Sequence, residues 1–317
     1  LLMDITYDEA TSDYEIAPAF NEDEDQSRWF YFKSNGKKIY SENADETKDK
    51  TINGKKYAFD EYGAMVAEWS LDEDDEKKAS DTEAQEAAST ASTSEAWEGN
   101  GKYAKYTQAW RYFNSVEDGS RVSKGWFKVV AAEMLNKDKY DDDEDAWYYA
   151  DGSGKLYAGE FKTIKGKKYA FRNDGRMLSG LKFIKEGTDD FAGVVADDDD
   201  NHSFDNEDDF LAQASTYFEG EGYKCYYFGG DEDGAMRTGK TSLTFDGENT
   251  NFYFEKSGSK KGAGLTGEKD DKYYLSGMLV KAGSDEKYQV VQKKTVGNKT
   301  VYVKLDDAKA FLADVAH

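Results

Sequence analysis

Residues 50–65, KTINGKKYAFDEYGAM, return at residues 162–177 as KTIKGKKYAFRNDGRM, with 11 of 16 positions identical at an offset of 112 residues. The identities fall on a turn glycine and on aromatic residues, the residue types that set turns and cores. Self-similarity of this kind marks a repeat architecture, in which one unit cannot bury its own apolar face and must stack on its neighbours. A chain built this way offers a repetitive surface in place of one deep active site.

The repeating unit is short. Three or four aromatic-rich residues precede a polar stretch ending in Gly, and a second short run follows. Such runs read as β-hairpins, with Gly supplying the positive φ that a tight turn needs. Candidate units run over residues 29–40, 55–69, 110–126, 147–161, 167–181, 226–240, 252–265 and, more weakly, 272–281. Their turn glycines are read as Gly36, Gly63, Gly119, Gly154, Gly175, Gly234, Gly258 and Gly277. The third and sixth turns are two residues longer than the rest.

Strand alternation sorts the first strands into two faces. One face carries Phe30 and Phe32, Tyr57 and Phe59, Tyr148 and Ala150, Tyr169 and Phe171, Tyr226 and Phe228, and Phe252 and Phe254. It is almost always aromatic and is expected to be the core, joined by Met65, Leu156, Met177, Met236 and Leu279 from the second strands. Arg111 breaks this pattern in the third unit. The opposite face alternates between ring-rich pairs (Trp29 and Tyr31, Trp110 and Tyr112, Trp147 and Tyr149) and plain ones (Lys56 and Ala58, Lys168 and Ala170). The expected fold is all-β: an elongated solenoid of stacked β-hairpins with acidic insertions and short helices.

Composition excludes several functions. With 65 acidic against 42 basic residues, the chain lacks the basic face that nucleic-acid binding requires. Mean hydropathy is −0.90, yet 15% aromatic residues argue for a folded chain, since disordered chains are poor in rings. One cysteine, Cys225, rules out an intrachain disulfide framework and reads as a buried thiol. No run is long and apolar enough to span a bilayer. The first residues, Leu1-Leu2-Met3-Asp4, lack the basic start and apolar core of a signal peptide, so an exported chain is expected to have lost its signal.

Two histidines, His202 and His317, leave little for triad or imidazole–metal chemistry, and carboxylates are too abundant to single out a pair. No catalytic residue, metal ligand or cofactor is assigned. The acidic runs at 141–145, 197–200 and 205–209 lack the ligand spacing of a calcium loop and read as solvated loops. Residues 71–96, without an aromatic residue and rich in Ala, Ser, Thr and acids, read as a linker or long loop. A second acidic insertion covers 186–216, with a short helix expected over 206–214. The organisation is therefore an N-terminal segment (1–27), first hairpins (28–70), the linker (71–96), the main hairpin array (97–283) and a C-terminal cap (284–317). In that cap, strands are expected around Val290-Val291 and at 300–305, and Asp306 or Asp307 is expected to start a helix.

WFYFKSNGK (29–37), TINGKKYAFDEYGAM (51–65), AWYYADGSGKLYAGEFKTIKGKKYAF (146–171) and YYFGGDEDGAMRTGK (226–240) resemble the cell-wall-binding, choline-binding-type repeats of Gram-positive bacteria. Glucan-binding repeats and the C-terminal repeats of clostridial toxins are related. The resemblance implies a surface-located hairpin solenoid that holds ligand between consecutive hairpins. In choline-binding members a Trp after Gly joins rings of the W-Y-Y run around a quaternary ammonium, through cation–π attraction. Here Gly-Trp survives once, at Gly125-Trp126, while Trp69 follows Glu68, and Phe161, Leu181 and Lys240 hold the place elsewhere. Most choline boxes are thus expected to be altered, and Trp126 with Trp147 and Tyr149 is the best remaining set. The insertion at 130–145 separates them in sequence.

The candidate ligand-binding rings are Trp29, Tyr31, Trp69, Trp110, Tyr112, Trp126, Trp147 and Tyr149. Each ring has two uses open to it, stacking on a ligand or packing under a loop. The expected function is a non-enzymatic cell-surface module, extracellular or wall-associated. Its expected partner is a cell-wall polysaccharide, a teichoic acid substituent or a host glycan. The alternatives are an adhesive scaffold for a protein partner and the targeting region of a larger cell-wall enzyme.

Overall fold

The computed structural model describes residues 1–5, 7–8, 13–14, 26–43, 46–72, 103–187, 191–195, 204, 206–214, 219–245, 247–282 and 289–305. The chain is mostly β-hairpins with few helices. Among the described residues seven of nine sheets are two-stranded and every pairing is antiparallel. In chain order, β1 (Leu2–Ile5) pairs with β4 (Gln26–Trp29), and β2 (Tyr7–Asp8) with β3 (Asp13–Tyr14). Next come β5 (Lys48–Ile52) with β6 (Lys55–Phe59), and β7 (Glu68–Leu71) with β8 (Trp110–Phe113). Then β9 (Gly125–Val130) pairs with β10 (Asp145–Ala150), and β11 (Glu160–Ile164) with β12 (Lys167–Phe171).

Further on, β13 (Leu181–Glu186) lies between β14 (Phe191–Val195) and β15 (Lys224–Tyr227). A five-stranded sheet joins β16 (Gly239–Phe245), β17 (Glu248–Phe254), β20 (Met278–Val280), β19 (Lys272–Leu275) and β18 (Gly267–Lys269), in that spatial order. A last hairpin pairs β21 (Val291–Val296) with β22 (Lys299–Lys304), close to the expected C-terminal strands.

A lone two-stranded hairpin is marginal in water, so the units must stabilise one another. Two recurring contacts do this. The amide two residues past one unit's turn glycine donates to a first-strand carbonyl of the preceding unit. Met65 donates to Trp29, Arg121 to Lys56, Met177 to Trp147 and Met236 to Lys168, each at 2.8 Å, and Gly264 donates to Cys225 at 2.7 Å. The side chain at that same position also fills the space under the next turn glycine. A Cβ on Gly119, Gly234 or Gly262 would run into Met65, Met177 or Met236. These glycines are therefore needed twice, for their positive φ and for the neighbour's approach.

Several expectations need correction. The seventh unit turns at Gly262, not Gly258: Phe254 bridges to Gly264, and Gly258 sits in an enlarged turn with nothing close to it. Phe32 is 42% exposed although its alternation puts it with the core; among the described residues no hairpin covers that end of its strand. Ala58 and Ala170, on the face that alternates between ring-rich and plain residues, are fully buried. They are plain because a second-strand residue crosses them, and Val66 and Leu178 donate to their carbonyls at 2.9 Å.

Arg111 also finds its explanation. Its guanidinium donates to the Gln108 and Trp110 carbonyls and pairs with Asp72 at 3.5 Å, so the buried cation is neutralised. Asp72 closes β7, so the start of the expected linker at 71–72 belongs to a hairpin; residues 73–96 lie outside the described residues.

Helix α1 (Tyr103–Ala109) was not expected from the sequence; it buries Tyr103 and Tyr106 beside Trp110, Leu135 and Leu156. Helix α2 (Lys137–Asp141) is capped by Asn136, whose side chain accepts from the Lys139 amide. Helix α3 (Glu207–Gln213) begins at Asn206 as expected, and Asn206 accepts from the Asp209 amide. The expected helix after Asp306 or Asp307, both histidines and Asp197–Asp200 lie outside the described residues. Cys225 is buried, and no helix among the described residues is long and apolar enough to cross a membrane.

Candidate ligand-binding site

Strand β9 carries Trp126 and β10 carries Trp147 and Tyr149. The intervening insertion, which holds α2, leaves the hairpin and returns to it. It does not keep the rings apart: Trp126 and Tyr149 are directly opposed in the ladder. Trp147 lies two residues along β10 and so shares Tyr149's face. Its ring centroid is 6.3 Å from Trp126, with the ring planes at 89°. Tyr149 stands 5.1 Å from Trp126 and stacks flat on Tyr157 at 5.2 Å. The next hairpin supplies Tyr169, 4.9 Å from Trp126 at 64°, and Phe171, 5.7 Å away behind it.

Trp126, Trp147 and Tyr169 thus wall a cleft of about 320 Å³, completed by Lys167, Met177, Glu232 and Asp233. Glu232 and Asp233 come from the turn of the sixth unit, two residues longer than that of the fifth. Glu232 accepts from the Trp147 indole at 2.8 Å and pairs with Lys128 at 2.6 Å. These hydrogen bonds, Lys128's first and the indole's second, hold its carboxyl below the ordinary value. It therefore stays ionised and fixes the Trp147 ring edge-on. Asp233 pairs with Arg237. Two perpendicular indoles, a phenol ring and two carboxylates converging on one open space suit an organic cation.

On the other side of Trp147 lies a wider cleft of about 550 Å³ with mixed charge, lined in part by Lys128, Lys139, Arg172, Arg176, Asp145 and Asp231.

The remaining candidate rings do not join this cleft. Trp110 is buried, with α1 against it, so it is core and not a ligand ring. Trp69 lies inside the same region: its indole donates to the Val130 carbonyl, and Tyr112, Phe127 and Tyr148 pack within 6 Å. Tyr112 stacks on Phe127 at 5.0 Å. Trp29 is 38% exposed, and Tyr31 packs beside Phe59. Tyr169, Glu232 and Asp233 were missed as site residues. Tyr169 reads as core, and only the lengthened DEDG turn signals that the sixth unit reaches back over its neighbour.

No family model matches the chain, and no curated protein matches it. Choline-binding proteins stand among its structural neighbours. A crystal structure of CbpF in complex with ipratropium aligns over 94% of this chain and 78% of that one, at 16% identity and a TM-score of 0.44. Choline binding protein F from Streptococcus pneumoniae, in the presence of a peptidoglycan analogue, aligns over 91% and 71%, at 18% identity and a TM-score of 0.41. The modular autolysin LytC from Streptococcus pneumoniae aligns over 87% of this chain but 38% of its own length, at 16% identity and a TM-score of 0.33.

Proposed function

We propose that the chain is a non-enzymatic cell-surface binding module, an elongated hairpin solenoid that recognises cell-wall polymer or glycan through aromatic sites between hairpins. The observation that carries this is the cleft between the β9–β10 and β11–β12 hairpins, where Trp126, Trp147 and Tyr169 face Glu232 and Asp233. Three rings offer about 0.5–2 kcal/mol each to a cation. The net charge of −23 repels bare phosphate, so the contact is a cationic substituent of the polymer, or a neutral sugar stacked on the indoles.

The test is retention on purified Gram-positive cell walls with choline as competitor, followed by tryptophan fluorescence titrated with choline and with neutral disaccharides. Retention that choline displaces is expected. Trp126→Ala should weaken binding about tenfold or more, the loss of roughly one ring's cation–π energy. Lack of retention together with a flat fluorescence titration sinks the reading.

One observation favours the adhesive-scaffold reading. Trp29, Phe32 and Tyr40, at 38%, 42% and 47% exposure, leave rings of the first unit open to a protein partner. Under that reading Trp29→Ala, and not Trp126→Ala, would abolish attachment.

A further inference from the structure

The cleft at Trp126 has a backbone equivalent one hairpin further on, and there a lysine lies against the ring. Equivalence is fixed by backbone, not by likeness of residues. Trp126 opposes Tyr149 in the β9–β10 ladder, and Phe161 opposes Ala170 in the β11–β12 ladder. Two residues before those partners stand Trp147 and Lys168. The carbonyl of each accepts a 2.8 Å hydrogen bond from the methionine two residues past the next turn glycine, Met177 for Trp147 and Met236 for Lys168. The neighbouring hairpin contributes Tyr169 beside Trp126 at 4.9 Å and Tyr226 beside Phe161 at 5.1 Å. So Phe161, Lys168 and Tyr226 occupy the positions of Trp126, Trp147 and Tyr169.

Of the three matched positions only the slot residue changes in kind; the turn two units on changes as well, from Glu232-Asp233 before Gly234 to Lys260-Lys261 before Gly262. Trp147 is a wall and leaves open space. Lys168 reaches across, and its ammonium lies 4.5 Å from the Phe161 ring centroid. Phe191 closes the far side, 5.2 Å from Phe161. The first copy of the repeated phrase shows the same habit with another partner. Lys56 holds the same slot, its carbonyl accepting from Arg121, and its ammonium pairs at 3.8 Å with Asp49, the residue opposite Ala58. In this slot Lys168 lies on a ring face, while Lys56 stays exposed and pairs with a carboxylate.

We propose that Lys168 is a built-in occupant of the second inter-hairpin cation site, so that its ammonium stands where the Trp126 cleft would take a small organic ammonium ion. This rests on the reading of the Trp126 cleft as a cation site. Its consequence is a binding number: one ammonium ligand per chain across these two sites, set by the residue in one slot.

Calorimetry with tetramethylammonium as the probe tests it. The wild-type chain is expected to bind one ion and Lys168→Ala two. Trp126→Ala should bind its one ion about tenfold more weakly, and adding Lys168→Ala to that variant should add one ion bound with the wild-type order of affinity. A wild-type chain that already binds two ions overturns the proposal, as does a Lys168→Ala variant that gains none. A wild-type chain that binds none while Lys168→Ala binds one removes the function assigned to the Trp126 cleft and leaves Lys168 as the occupant. In the unaltered chain, proton NMR gives a check independent of any variant. The Lys168 Cε protons should be shifted upfield by the Phe161 ring current, and an unshifted resonance overturns the proposal.

Discussion

The two copies of the repeated phrase fold alike and are buried unlike. Lys48 opposes Phe59 in one and Glu160 opposes Phe171 in the other, the same register at the same spacing. Both turns close with a glycine amide donating three residues back, Gly63 to Asp60 at 3.0 Å and Gly175 to Arg172 at 2.9 Å. Ile52, Tyr57, Phe59 and Met65 share one cluster, as Ile164, Tyr169, Phe171 and Met177 share another. Yet Tyr57 is half-buried where Tyr169 is buried. The second turn, Arg172-Asn173-Asp174, is enclosed where Asp60-Glu61-Tyr62 is half-open. The identical residues make the hairpin, and the enclosure comes from neighbours that, among the described residues, only the second copy has: α1, which buries Thr107 against the Asn173 carbonyl, and Asn136 of the 130–145 insertion.

The largest effect expected from this difference is in the core. Phe171 has Trp126 and Tyr157 each at 5.7 Å, whereas Phe59 has Tyr31 at 6.3 Å. Phe171→Ala should cost about 4 kcal/mol and Phe59→Ala about 3 kcal/mol, since the cost of a cavity grows with how tightly its walls are held. Urea unfolding of both variants measures this. Equal losses would mean that the hairpin alone, and not its neighbours, sets the packing.

Next comes the buried turn. The Asp174 carboxylate accepts from Arg176 Nε and from the Asn136 amide, both at 2.8 Å. Burial pushes its pKa up, but Arg176, the Asn136 hydrogen bond and Arg172 together outweigh burial and hold it below the ordinary 3.8. A depressed carboxyl pKa contributes stability above the unfolded value and loses it as pH falls through the folded one. Asp174→Asn should therefore cost about 3 kcal/mol at neutral pH, because it removes the buried carboxylate that Arg176 pairs with at 2.8 Å. The difference from wild type should shrink as pH falls below 3.8. Thermal melts across that range check it, and a pH-independent difference would refute the ion-pair account.

How much of this was legible in the sequence follows from which contacts are local. The hairpins, their turn glycines and the ring face at Tyr148, Phe171, Phe228, Phe252 and Phe254 follow from alternation and turn chemistry, which act within a few residues. Trp126 with Trp147 was legible because both lie on one hairpin. Tyr169, Glu232 and Asp233 were not, because they reach the cleft from the next unit and from a lengthened turn some 60 residues beyond Tyr169. Trp110 was read as a ligand ring for the same reason in reverse. Its burial depends on α1, whose Tyr103 and Tyr106 carry no repeat signature. Gly258 was taken for Gly262 because both sit in one Gly-rich stretch, and only the fit under Met236 separates them.

The smallest expected effect has the opposite sign. Asp60 starts the half-open turn, and its carboxylate accepts from the Tyr62 amide at 2.9 Å and the Ala64 amide at 2.8 Å, with no cation bonded to it among the described residues. Burial raises its pKa above the ordinary 3.8, against those backbone hydrogen bonds and with help from Glu61. A raised carboxyl pKa contributes stability below the unfolded value and loses it as pH rises through the folded one. Asparagine keeps the accepting oxygen and removes the charge. Asp60→Asn should therefore be neutral or stabilising by less than about 1 kcal/mol at pH 7, while Asp174→Asn destabilises. Two aspartates two residues apart in the aligned phrase would then answer the same substitution in opposite directions, with Arg176 as the cause. The double variant Asp174→Asn with Arg176→Met should recover most of the loss, and a failure to recover would place the cost in the turn geometry and not in the ion pair.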